Sequence, residues 1–239
     1  MGKTTLSALV VRELIARKAT PILAVDADPN SNLNEALGVT YDATIADLRE
    51  DLQGKELPPS TSKSDYITKK LQEALVEQAG FDLLVMGRPE CRGCYCFVNE
   101  LLRQFLSKLS GPYKYVVIDN EAGMEHLSRR TTDNIDLLLI ASDQTLVGIR
   151  SARRVAELAK CLKLNIKKAY VVLNRAKPAQ TDAQQLEIGN IGVPLLGTVP
   201  DDDAINSYRE SGKGLLDLPD SPATLAVREL LKKGELWNM

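Results

Sequence analysis

Six short apolar runs separated by stretches of helical periodicity constrain this chain more than any other feature. They are Pro21–Val25 (ending at Asp26), Phe81–Met86, Tyr115–Asp119, Leu137–Ala141, Tyr170–Leu173 and Leu195–Val199. A short run without polar alternation reads as a strand covered on both faces. Strands of that kind alternating with helices predict an α/β fold: a doubly wound, mostly parallel sheet with helices on both faces. Leu6, Leu9, Val10 and Leu14 predict a helix over 5–18, and further helices are expected over 66–79, 97–109 and 148–163. Ser221-Pro222 supplies an N-cap and a proline at the first helical position, so a last helix runs from there to near Gly234. Residues 30–65 are polar, and Pro58-Pro59 followed by Ser60-Thr61-Ser62 marks an exposed connection. All of this fits one domain over 1–239, with no internal repeat.

Charge narrows the partners. Thirty basic residues against 32 acidic ones leave a net charge of −2, without the basic excess of a nucleic-acid binder. No apolar run is long enough to span a bilayer and no secretory leader is visible, so a cytoplasmic protein with neither nucleic-acid nor membrane partner is expected. Leu225, Val227, Leu230, Leu231 and Trp237 could form an amphipathic surface helix, but a packed terminal helix is the simpler reading of a segment that Gly234 interrupts.

Three motifs carry chemistry. Met1-Gly2-Lys3-Thr4-Thr5 matches the last half of the phosphate-binding loop G-x-x-x-x-G-K-[ST]. In that loop the glycine allows a tight turn, the lysine reaches the β- and γ-phosphates, and the hydroxyl binds Mg²⁺. Two acidic turns follow strand ends, Asp26-Ala27-Asp28-Pro29-Asn30 and Asp119-Asn120-Glu121-Ala122-Gly123. Strand ends are where open α/β sheets bind ligands. Taken singly, each such aspartate could equally be a turn residue or a helix cap. The third motif is Cys94-Tyr95-Cys96, with Cys91 just upstream. If locally extended, positions i and i+2 face one side. Two thiolates are half of a four-sulfur site, and a twofold homodimer supplies the other half. Zinc, copper(I), nickel and iron–sulfur clusters all suit such a site. Cys161 reads as a small buried hydrophobe on an apolar helix face.

Gly2-Lys3-Thr4-Thr5, Asp26-x-Asp28-Pro29, Asp119-x-x-x-Gly123 and Asn174-Arg175 together resemble the MinD/ParA group of P-loop ATPases. That resemblance implies ATP and Mg²⁺ as cofactors. It implies that Gly2, Lys3, Thr4 and Thr5 hold phosphate, that Thr4 and Asp119 hold Mg²⁺, that Asp28 orients the attacking water and that Gly123 senses the γ-phosphate. Asn174 and Arg175 would read the adenine, with Pro200 and Asp201 flanking it. Lys3, Asp28 and Asp119 are thus the expected catalytic set. The stretch from Met86 to Cys96 and that from Asp119 to His126 resemble the CooC/AcsF branch, whose members help insert nickel into carbon monoxide dehydrogenase or acetyl-CoA synthase. This resemblance implies a client enzyme of that kind, a homodimer, and nickel or zinc shared between Cys94 and Cys96 of each subunit. A MinD- or ParA-type positioning ATPase, or a catalytically impaired relative, are the rival readings. The group's loop opens with Lys-Gly-Gly after a central strand. The sheet is therefore expected to lack that first strand, with unpaired edges beside the nucleotide site and a reading frame that starts upstream of Met1.

Overall fold

The computed structural model describes residues 2–48, 63–88, 94–109, 111–121 and 134–236. Its elements run α1 (Lys3–Ala16), β1 (Ile22–Ala27), α2 (Leu33–Leu37), α3 (Lys63–Glu73), β2 (Val76–Gln78), β3 (Phe81–Val85), α4 (Cys94–Leu109), β4 (Tyr115–Asn120) and β5 (Asn134–Ser142). They continue α5 (Leu146–Cys161), β6 (Asn165–Ala176), α6 (Asp182–Gly189), β7 (Leu195–Pro200), α7 (Asp203–Glu210), a 3₁₀ turn (Leu215–Asp217) and α8 (Pro222–Lys233). All six expected strands are present, and the α/β fold with a mostly parallel sheet is the one observed.

The strands pair in two groups, β2-β3-β1-β4 and β5-β6-β7. Among the described residues only the β2–β3 pairing is antiparallel. Among the described residues β4 and β5 are not paired with each other, so each is an edge. Their apolar side chains show it: Tyr115 through Ile118 and Leu137 through Leu139 are half-buried, while β1 is buried along its whole length. The unpaired edges expected from the resemblance are therefore present.

Side chains alternate between the two faces along β1, both of them covered. Ile22 and Ala24 pack with α1, α2 and α8, while Leu23, Val25 and Ala27 pack with α3 and α4. A third cluster sets Ile140, Val171 and Leu173 under α5. Leu9 and Leu14 on α1 are essentially fully buried, each stabilising by about 2 kcal/mol. α1 is covered nearly all round, because α8 lies across it. Glu13, 1% exposed, accepts from Arg228 Nε at 2.8 Å and contacts Arg12, so the buried carboxylate is compensated by two guanidinium groups. α8 starts on a Ser221/Thr224 capping box with Pro222 in its first turn, and it buries Ala223, Thr224, Val227, Leu230 and Leu231. The packed-helix reading of the C-terminal segment is the one observed.

Several expectations need correction. The helix expected over 66–79 stops at Glu73; the chain returns as β2 against β3 around Ala79-Gly80, and Gly80 takes φ +96, where a Cβ would be strained. The polar stretch 30–65 is not wholly an exposed connection: α2 and a helical segment at 45–48 bury Leu33, Leu37, Ile45 and Leu48. The part of that stretch containing Pro58 to Ser62 lies outside the described residues. Cys161 is exposed, at the end of α5, whose buried stripe is Ile149, Ala152, Ala156 and Ala159. No helix among the described residues is long and apolar enough to cross a membrane.

Candidate nucleotide site

The site is built around the start of α1. Gly2 adopts φ +72, ψ +30, and a Cβ there would approach Asn174 Nδ2 to 3.3 Å, so glycine answers both a backbone and a packing demand. The Gly2 carbonyl accepts from Leu6 N at 3.0 Å, closing the first helical turn, and from Asn174 Nδ2 at 3.1 Å. Among the described residues no side chain caps this helix and no acidic residue sits in its first turn. The free N–H groups and the positive end of the helix dipole are therefore available to an anion, with Lys3 beside them.

Asp119 stands at the end of β4, 2% exposed. Ser7 Oγ donates to its Oδ1 at 3.1 Å, and the Thr4 side chain lies near enough to favour its charged form. Burial raises its pKa, against the lowering pull of Thr4, Ser7 and Lys3. A carboxylate and a hydroxyl next to a phosphate-type cradle suit a hard, oxygen-seeking cation, and such a cation would restore the charge that burial disfavours. The residues expected to hold Mg²⁺, Thr4 and Asp119, thus meet in space and fit it.

Asp26, next in register to Asp119 on the neighbouring strand, is wholly buried. Burial pushes its pKa up to about 7; N–H bonds from Leu33 and Asp28 lower it, and the charges of Asp119 and Asp28 add to the rise. Asp28 opens the following turn, where its Oδ1 accepts from both Asn30 N and Asn30 Nδ2 at 2.9 Å.

On the other side of Gly2 lies a pocket lined by Thr5, Leu9, Asn174, Pro200, Asp201 and Asn206. A register shift in β6 between Asn174 and Ala176 places Asn174 inward, 5% exposed, and Arg175 outward at φ +50. Arg175 Nε lies 3.8 Å from Asp201 Oδ1. Asp202 anchors this rim. Its carboxylate accepts from Ala204 N at 3.0 Å and Ala223 N at 2.9 Å, capping α7 and α8 together. Burial alone would raise its pKa, but the Ala223, Ser221 and Ala204 hydrogen bonds bring it below the ordinary value.

The structure therefore brings together Gly2, Lys3, Thr4, Thr5, Asp119, Asn174, Arg175, Pro200 and Asp201, with Asp28 on the adjoining turn. Sequence reading gave no role of its own to Asp26, Ser7, Leu9, Asp202 or Asn206. The first was visible as the other acid of Asp26-x-Asp28; the rest carry no motif. Gly123, Cys91 and His126 lie outside the described residues, as do the side chains of Cys94 and Cys96. The backbone at that pair corrects one expectation. α4 begins at Cys94, three residues before the expected Phe97, so Cys94-Tyr95-Cys96 is helical rather than extended. At 3.6 residues per turn, positions i and i+2 stand about 200° apart around the axis and do not share a side.

This arrangement sets an uncapped helix start, a pair of buried strand-end acids and a small pocket at the carboxyl ends of a parallel sheet, the layout of a P-loop nucleotide-binding domain. The chain belongs to the CobQ/CobB/MinD/ParA nucleotide-binding domain family, whose model matches residues 1–216. It is 43% identical over 225 residues to an uncharacterized ATP-binding protein of Methanocaldococcus jannaschii, covering 92% of this chain and 88% of the relative. It is 31% identical over 248 residues to the carbon monoxide dehydrogenase accessory protein CooC of Rhodospirillum rubrum, covering 93% and 88%. In fold it is similar to the septum site-determining protein MinD of Pyrococcus horikoshii, solved with Mg-ADP, at a TM-score of 0.71 and 20% identity over 99% of this chain and 92% of that one.

Proposed function

We propose that this chain is an ATP-hydrolysing switch that assists nickel insertion into carbon monoxide dehydrogenase or acetyl-CoA synthase. The observation that carries the nucleotide half is the meeting at Gly2 of the α1 N-terminus, the Thr4–Asp119 pair and the Asn174 pocket. Lys3 and the first N–H groups of α1 hold the phosphates, Thr4 and Asp119 hold Mg²⁺, and Asn174 meets the base edge with Arg175, Pro200 and Asp201 around it. Asp28 orients the attacking water, and Gly123 answers to the γ-phosphate. Mg²⁺, when bound, neutralises phosphate charge developing in the transition state.

The nickel half is supported by the 31% identity to an accessory protein of carbon monoxide dehydrogenase, together with Cys94-x-Cys96. Two cysteines from each subunit of a homodimer supply four soft ligands for nickel or zinc. The pair sits in the first turn of α4, the part of a helix with unpaired N–H groups and the least cost to unwind. Opening that turn lets both thiolates face one ion. ATP drives metal transfer only through a different affinity of the dimer for the ion in its two nucleotide states. α8 packs against α1 and β7 instead of standing free, which weighs against the membrane-positioning reading.

The test is a nickel and zinc titration of the purified protein and of a Cys94→Ser, Cys96→Ser double variant. The variant is expected to lose stoichiometric metal while keeping ATP affinity within about twofold of the parent. Unchanged metal binding by the variant overturns the nickel reading and leaves the ATPase reading standing.

A further inference from the structure

We propose that Asp26 is a positioning residue for ATP hydrolysis: its carboxylate fixes both ends of the turn that presents Asp28. The inference rests on the reading of this site as an ATPase and deepens it. Asp26 has no exposed surface and stands beside Asp119 in the ladder. Its two oxygens are both used on one short segment. Oδ1 accepts from Asp28 N at 3.1 Å, where the turn begins, and Oδ2 accepts from Leu33 N at 2.7 Å, where α2 takes over.

The anchor itself is rigid. Asp26 lies between Val85 of β3 and Asp119 of β4 in the parallel ladder, and its own carbonyl accepts from Met86 N at 2.8 Å. The turn it holds carries its own tension. Ser31 sits at φ +50 with its N–H on the Asp28 carbonyl at 2.9 Å, and Asn30 engages the Asp28 carboxylate. A non-glycine residue at positive φ persists only where surrounding contacts over-determine it. A buried carboxylate is a costly way to provide them. An asparagine of the same shape would accept one N–H and turn its own NH₂ toward the other. The double acceptor is therefore what this turn requires, and a misplacement near 1 Å at a reacting group is enough to slow a reaction about a hundredfold. The phosphate cradle and base pocket hang instead on α1, β6 and β7, so they do not depend on this turn.

The experiment compares wild type, Asp28→Ala, Asp26→Asn and the smaller Asp26→Ser for kcat, KM, ADP affinity and amide exchange at positions 28 and 33. The expected result for Asp26→Asn is a tenfold or greater fall in kcat, KM and ADP affinity within about threefold of wild type, and faster exchange at both amides. Asp26→Ser keeps one acceptor and should fall between. Turnover by Asp26→Asn equal to wild type overturns the inference. So does an equal loss of nucleotide affinity and turnover, or failure of both variants to fold, since each assigns Asp26 to general structure. Absence of turnover in wild type itself overturns the ATPase reading, a distinct outcome.

Discussion

Gly2 and Asn174 show how much of this site is decided by single residues far apart in sequence. The placing of Lys3 and Thr4 at the start of α1 was legible from the motif because it follows from spacing alone. The Asn174–Gly2 hydrogen bond was not, since it joins positions separated by 172 residues and only the folded sheet brings them together. Gly2→Ala places a Cβ at positive φ and against Asn174, at a cost of about 1–2 kcal/mol. Its ATP affinity should fall roughly tenfold or more in an equilibrium titration. Asn174→Ala removes both the tie to Gly2 and the polar group facing the pocket, and is expected to weaken ATP and to narrow the gap between ATP and GTP. Unchanged preference in a competition assay would remove Asn174 from base recognition. Asp26 gives the nucleotide-free protein a pH signature. Its folded pKa, about 7, lies above the unfolded one, so the stability it contributes is full below pH 4 and is lost as pH rises toward 7. Asp143 and Asp202 have lowered values, so their contribution is lost as pH falls through the acid range. The thermal midpoint should therefore be higher at pH 5 than at pH 8, and Asp26→Asn should flatten that difference.

Elements were legible where one physical signal sufficed. The apolar runs of β1, β3 and β4 need burial on two faces, and Ser221-Pro222 needs no tertiary help to start a helix. Elements were missed where pairing partners decide. Leu75 and Val76 continue a helical pattern, and only β3 alongside turns 76–78 into a strand. α6 and α7 are short and polar, held by the Thr181 capping box and by Asp202 rather than by a long apolar stripe. The polar outer parts of β5 and β6 hid their full length. Asp202 belongs to this scale, because it caps two helices at once. Asp202→Ala should lower stability by about 1–3 kcal/mol in chemical unfolding. It should also weaken nucleotide binding, because Pro200 and Asp201 lie on the rim it fixes. A loss of stability with intact binding would separate that rim from the pocket.

The molecule as a whole is a parallel sheet described in two halves, with α1 starting beside the break. The Asn174–Gly2 contact ties α1 to the β5-β6-β7 half, and Ser7 ties it to the β2-β3-β1-β4 half through Asp119. Nucleotide bound at this junction would hold the halves together. Amide exchange should therefore be fast on the open sides of β4 and β5, slow in β1, and slower at both edges when ATP and Mg²⁺ are added. Equal protection of β1 and β4 in the free protein would contradict the open edge. The fold was readable at this scale from alternation alone; the homodimer was expected only from the resemblance, and its proposed coupling to nucleotide state concerns a second copy of the chain. The most direct test of the account is the mass of the protein in solution during nickel titration, with and without ATP and Mg²⁺. A dimer that binds one metal ion per pair of chains, with an affinity that differs between the two nucleotide conditions, is the predicted result. A monomer under every condition, or identical metal affinity with and without ATP, would contradict it.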